Sequence, residues 1–182
     1  ADHLLAFDTG PGNALIDDLV LARTGKSFDQ DGHLAAKGRV DTAILAKLLS
    51  HDFFDQTPPK SLDRNAFDTS LLEKLSLEDA AATLVAFTTA AIARSATYFP
   101  EQVNQWLVTG GGRHNPTIMK DLSERLGTVV QPVESVGWNG DAIEAQAFAF
   151  MAVRSLLKLP LSFPATTGVS EPITGGILHH PK

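Results

Sequence analysis

The stretch Leu4-Leu5-Ala6-Phe7-Asp8-Thr9-Gly10-Pro11-Gly12-Asn13-Ala14-Leu15-Ile16 decides the fold class. His3 and the four apolar residues after it read as a buried strand, and Gly10, Pro11 and Gly12 as a tight turn. Ala14, Leu15, Ile16, Leu19 and Val20 then recur at helical spacing. Strand, glycine turn and helix in that order predict an α/β domain. The junction can also do chemistry. Glycines let backbone approach a ligand, a helix start offers amides to an anion, and Asp8 falls at the C-terminal end of the strand, where α/β sites gather. Thr9, Gly10, Gly12 and Asn13 thus outline a phosphate site with a carboxylate beside it. The alternative is an ordinary turn in which Asp8 or Asn13 caps the helix.

The same unit returns further along. Gln105-Trp106-Leu107-Val108-Thr109 reads as a strand, Gly110-Gly111-Gly112 as a turn, and residues 116–126 as an amphipathic helix opened by Pro116 and closed by Gly127. Residues 128–130 continue as a strand towards Val133. Three successive glycines strip side chains from one wall, so a base or ribose can lie against backbone, while Asn115 can hydrogen-bond or cap. A third junction, Asn139-Gly140-Asp141-Ala142-Ile143-Glu144, opens an alanine-rich helix reaching about Leu157. Asp141 and Glu144 share a helix face, where they either meet sugar hydroxyls or magnesium or form a capping box.

Between these junctions Gly25 stops the first helix, residues 28–38 read as an exposed connection, and residues 40–49 are again helical. A loop with Pro58 and Pro59 precedes the polar residues 61–68. Leu77 to Tyr98 is predicted as one long helix, started by Ser76 with Asp79 and ended before Pro100. Trp106, Phe148 and Phe150 are expected in the core, whereas Trp138, in a glycine-flanked loop, fits core or site. The tail from Pro160 is punctuated by proline and glycine, and His179-His180 fits an exposed end.

With 182 residues, 43% of them hydrophobic, the chain can bury a substantial core. A net charge of -6 without a basic patch argues against nucleic acid as partner, yet does not exclude ATP, which backbone amides and magnesium can hold. There is no cysteine for disulfides or thiolate metal sites, and the histidines lack zinc-ligand spacing. No apolar run approaches the roughly 20 residues needed to span a bilayer, so a cytoplasmic location without membrane contact is expected. The first strand begins almost at residue 1 without a methionine, so something is expected to precede it in the gene.

Taken together, the three junctions are similar to the second half of the superfamily of sugar kinases, heat-shock chaperones and actin: a second phosphate loop, an adenosine loop and a connecting helix. Phe7-Asp8-Thr9-Gly10-Pro11-Gly12-Asn13, Asp63-Arg64, Val108-Thr109-Gly110-Gly111-Gly112 with Asn115-Pro116, and residues 141–149 resemble the anhydro-N-acetylmuramic acid kinase family, as does the closing Thr174-Gly175-Gly176. The resemblance covers essentially the whole chain. It implies an actin-like ATPase (ribonuclease H-like) lobe with a mixed sheet and packed helices, residues 1–182 forming the second, C-terminal lobe of a two-lobe kinase. It also implies an enzyme that uses ATP, Mg2+ and water to open the 1,6-anhydro ring and phosphorylate O6, giving N-acetylmuramic acid 6-phosphate and ADP in cell-wall recycling.

By the same resemblance Asp8 is the catalytic base that contacts the sugar and activates water. Thr9, Gly10, Gly12 and Asn13 lie along the phosphates, Gly110, Gly111, Gly112 and Asn115 hold adenosine, and Glu144 binds the sugar; no residue is assigned to metal. The family's first phosphate loop is absent from this chain, so the missing N-terminal lobe is an expected partner and the 182 residues alone are expected to be slow or inactive. A homodimer through this lobe is also implied. The rival readings are another carbohydrate kinase of the superfamily and a non-catalytic ATP-binding module.

Overall fold

A computed structural model describes residues 4–179. Helices dominate it. In chain order they are α1 (Ala14–Thr24), α2 (His33–Lys37), α3 (Thr42–Leu49), α4 (Leu77–Arg94), α5 (Pro116–Leu126), α6 (Ile143–Leu156) and α7 (Pro164–Thr167). The strands are β1 (Gln105–Val108) and β2 (Val129–Pro132), paired in parallel with Gln105 opposite Val129 and Val108 opposite Pro132. The chain is mixed α/β, but among the described residues the expected mixed sheet reduces to this parallel pair and an isolated antiparallel bridge between Ser162 and Ile173.

Residues 4–7 do not form the expected strand, and His3 lies outside the described residues. A strand needs a hydrogen-bonded ladder. Here the segment has only Ala6 N–H donating to Ala165 O at 3.2 Å and Asp8 N–H donating to Lys60 O at 2.9 Å, and Leu4 is 60% exposed.

The helix boundaries follow local chemistry. Asp41 caps α3 by accepting from the Ala43 and Ile44 amides, and Ser76 caps α4 by accepting from Asp79 N–H at 3.0 Å, the start expected of it. Gly25 and Gly127 close α1 and α5 in the left-handed conformation.

α4 is the axis of the molecule. Residues 80–89 are all buried, and α1, α2, α3 and α5 pack around them. Alanines at 80, 81, 82 and 86 let neighbouring backbones close in, while Leu84 and Phe87 fill the larger gaps. Phe53, Phe54, Phe67 and Phe87 meet edge-on or stacked beside them, with centroids 5.2 to 6.4 Å apart. Each fully buried phenylalanine contributes about 1.5–3 kcal/mol from the area it removes from water. The segment Leu77–Tyr98 does reach the length and mean hydropathy, 1.2, of a membrane span, contrary to the expectation from sequence. Its apolar residues are taken up by protein, 72% of the window being buried, as in the core helix of a globule.

α6 behaves oppositely. Its sequence is rich in apolar residues, yet none of them is buried; Phe148 is 63% and Phe150 62% exposed, against the expectation of core. The reason is that among the described residues it meets chiefly the tail, where Leu161, Ile177 and Leu178 line an open groove with Phe148, Met151 and Leu156 without sealing it from water. Trp106 is half-buried against Phe99, and Trp138 is exposed.

Candidate functional site

Two of the three junctions come together. The side chain of Asn13 lies against the glycine turn after β1, so that a Cβ on Gly111 would stand 3.7 Å from Asn13 Nδ2 and one on Gly112 3.8 Å from Asn13 Oδ1. Beside this contact opens a cavity of about 440 Å³ lined by Asn13, Asp17, Phe28, Gly111, Gly112 and Asn115, with Asp29, Gln30, Asp31, Ile16 and His114 completing it. The volume and mixed lining suit a nucleoside.

The first loop is held from behind by α4. Thr88 Oγ1 donates to Gly12 O at 2.6 Å, and the backbone of Gly10 approaches Ala91 so closely that a Cβ there would lie 3.0 Å from the Ala91 methyl. The N–H groups of Gly10, Gly12 and Asn13 donate to no described residue, which leaves them for an anion. Asn13 does not cap α1 with its side chain; its Nδ2 donates to Asp17 Oδ2 at 2.6 Å. Asp8 is no cap either. It is exposed, and its Oδ2 accepts from Leu62 N–H at 3.1 Å while its own N–H binds Lys60 O. The segment 60–62 therefore fixes the carboxylate and leaves one oxygen open. Thr9 lines a separate cavity of about 270 Å³ with Phe7, Lys60 and Arg94, away from Asn13.

In the second loop Gly110 adopts φ 74°, a left-handed angle that turns the chain out of β1. Asn115 is buried and caps α5, its Oδ1 accepting from Thr117 and Ile118 N–H at 3.0 and 3.1 Å. The third junction stands apart: Glu144 is exposed in the first turn of α6, and neither it nor Asp8 lines the cavity beside Asn13. Asp141 and Glu144 form no capping box, because α6 begins after Ala142 without a side-chain cap and Asp141 binds Arg113 instead. That ion pair holds the Asp141 carboxyl below its ordinary range.

A family model, anhydro-N-acetylmuramic acid kinase, matches residues 1–181. The chain belongs to the anhydro-N-acetylmuramic acid kinase family. It is 57% identical to the anhydro-N-acetylmuramic acid kinase of Paramagnetospirillum magneticum over 98% of this chain and 51% of that protein. It is 56% identical to that of Rhodospirillum rubrum, over 94% of this chain and 46% of the relative, and 53% identical to that of Caulobacter vibrioides, over 95% and 47%. The chain thus spans about half the length of the curated relatives it matches.

One wall of the cavity in this family member escaped the sequence reading. Residues 28–38 are not simply an exposed connection: Asp29 is buried with both carboxylate oxygens accepting, from Leu34 N–H at 2.9 Å and Ala35 N–H at 3.1 Å. Buried Gly32 presses on Asn115, and Thr117 Oγ1 donates to Gly32 O at 3.0 Å. The signal was Asp29 five residues ahead of Leu34 in a segment with Gly32, a side chain positioned to start a short helix. His51 accepts from Phe53 N–H through Nδ1 and His179 is exposed, while His180 lies outside the described residues.

Asp17 gives the cavity a pH signature. Burial raises its carboxyl above the ordinary 3.8, the Asn13 amide opposes this, and Asp18 adds to it. A raised carboxylate favours folding below 3.8, where it is protonated in both states, and loses that contribution as pH rises through the folded value. Asp17→Asn is therefore expected to raise Tm at pH 7, with the gain shrinking to nothing towards pH 3.8 in thermal melts. A fall in Tm at pH 7 would mean that the charge serves the start of α1 more than its burial costs.

Proposed function

We propose that the protein carrying this chain is an ATP-dependent kinase that opens the 1,6-anhydro ring of anhydro-N-acetylmuramic acid and phosphorylates O6, and that these residues form its second, C-terminal, actin-like lobe. The observation that carries the reading is the approach of Asn13 to Gly111 and Gly112, which joins the phosphate loop and the glycine turn at one cavity in a chain of this family.

The residues fit a nucleotide. Gly111, Gly112 and the Asn115 side offer a backbone wall to adenosine, and the amides of Gly10, Gly12 and Asn13, which donate to no described residue, are left for the phosphates, whereas Thr9 opens on the neighbouring cavity. No three His, Asp or Glu among the described residues gather as a metal site, so magnesium would come on the phosphates of ATP. When bound, the nucleotide and its magnesium supply the phosphoryl group and offset its charge. Asp8, oriented by Leu62 N–H, accepts a proton from the water that attacks the anomeric carbon, while the bridging oxygen is freed at O6. Glu144, exposed at the start of α6, hydrogen-bonds the sugar.

The other lobe of the protein covers the apolar surface of α6, which the tail residues Leu161, Ile177 and Leu178 leave largely exposed, and two copies pair through this lobe. The location is cytoplasmic. The test is conversion of the anhydro sugar by the complete gene product with ATP in heavy-oxygen water, followed by mass spectrometry. The 6-phosphate should carry the heavy oxygen at the anomeric carbon. ATP binding without conversion of this sugar would leave the lobe assignment standing and remove the substrate.

A further inference from the structure

Arg113 follows the three glycines and has no part in the nucleotide reading. Its side chain is only 4% exposed, and its donors go to three different segments. Nη1 donates to Gly110 O at 2.9 Å, Nε to Glu134 Oε1 at 3.0 Å and Nη2 to Asp141 Oδ1 at 2.6 Å. Gly110 belongs to the turn after β1, Glu134 to the turn after β2, and Asp141 to the residues leading into α6. Backbone closes on the same group. Glu134 Oε1 also accepts from Gly140 N–H at 3.1 Å, and a Cβ on Gly140 would stand 2.5 Å from Arg113 Nε, so any side chain there would push the guanidinium out of place. Thr109 Oγ1 reaches Gly140 O at 3.4 Å from the other side. A guanidinium presents its donors in a rigid planar fork, so three segments bound to one such group are fixed relative to each other.

We propose that Arg113 is a positioning residue that locks the glycine turn, on the nucleotide side, to the start of α6 and Glu144, on the sugar side, so that occupation of either site orders the other. The proposal rests on the functional reading given above for those two sites. A lysine carries its three donors on one nitrogen at the end of a flexible stem, so it cannot hold three segments at the fixed separations of the planar fork.

The decisive comparison is wild type against Arg113→Met and Arg113→Lys in the complete gene product. Glu134 and Asp141 side chains are 45% and 79% exposed, so removing the guanidinium leaves carboxylates that water can solvate and not stranded buried charges. KM for ATP and for the anhydro sugar, kcat, and backbone hydrogen exchange over residues 110–112 and 137–141 are measured. In Arg113→Met both KM values should rise about tenfold, the effect of each ligand on the other's affinity should vanish, and exchange should accelerate in both segments together. Arg113→Lys should recover only part of this. Exchange is read without ligand, which separates the two ways of being wrong. Wild type that binds no ATP overturns the functional reading; exchange in Arg113→Met that is unchanged, or altered in one segment alone, overturns the lock. So do wild-type KM values in Arg113→Met, whatever its Tm.

Discussion

Asp8→Asn in the complete gene product is expected to lower kcat by roughly 10³-fold while leaving ATP affinity within about twofold. The substitution removes one capability. An asparagine Oδ1 can still accept from Leu62 N–H, so the turn into Gly10 keeps its geometry, but the side chain can no longer take a proton. Because the Asp8 carboxylate bonds Leu62 N–H and caps no helix, loss of a helix cap is not available as an explanation for the fall. Steady-state kinetics with direct measurement of nucleotide binding makes the check. Unaltered kcat would return Asp8 to a purely structural tie to residues 60–62 and favour a module that binds ATP without using it.

The largest effect on stability is expected at a position far from this carboxylate. Gly38 ends α2 with ordinary backbone angles, but a Cβ there would fall inside the carbonyl group of Glu78 and 2.8 Å from the amide of Asp79. Those atoms are backbone in the first turn of α4 and cannot rotate away. Gly38→Ala must push α2 and its Ala35 contact off the core helix, at a cost of about 3 kcal/mol. For a chain of this size that is a fall in Tm of roughly 6–12 °C. Gly25→Ala, where a Cβ meets nothing within 4 Å, is the control: only the left-handed φ of 74° is strained, and the loss should be about 1 kcal/mol. Equal losses at the two sites would show that α2 yields easily.

These two glycines mark what a sequence can and cannot disclose. Gly25 was legible because a helix stop is a local matter of φ, as were Ser76 ahead of α4 and Gly127 after α5. Gly38 was not, since its requirement comes from a backbone 40 residues away. The same divide runs through the candidate site. Asn13 and the three glycines stood out by type and spacing, and they meet. Asp29 and Gly32 lay in a stretch whose polarity read as solvent exposure, whereas the polarity is consumed by the amides of α2 and by the Thr117 hydroxyl. Phe148 and Phe150 failed in the other direction. Apolar spacing states that a residue prefers cover, and the described residues leave both rings largely open to water.

α4 braces both loops of the cavity, the first directly and the second through α5: Thr88 holds Gly12, Ala91 abuts Gly10, and Thr89 is bonded to Asp121 of α5, whose start is capped by Asn115. Motion follows from that arrangement. Neither loop can swing without disturbing a helix whose middle ten residues are sealed from water, so both share the slow opening rate of the core. The third wall answers to the same rod: Asp29 accepts from the amides of α2, which packs on α4, and Thr117 of α5 donates to Gly32 O. The cavity is a socket whose walls all lean on one buried helix.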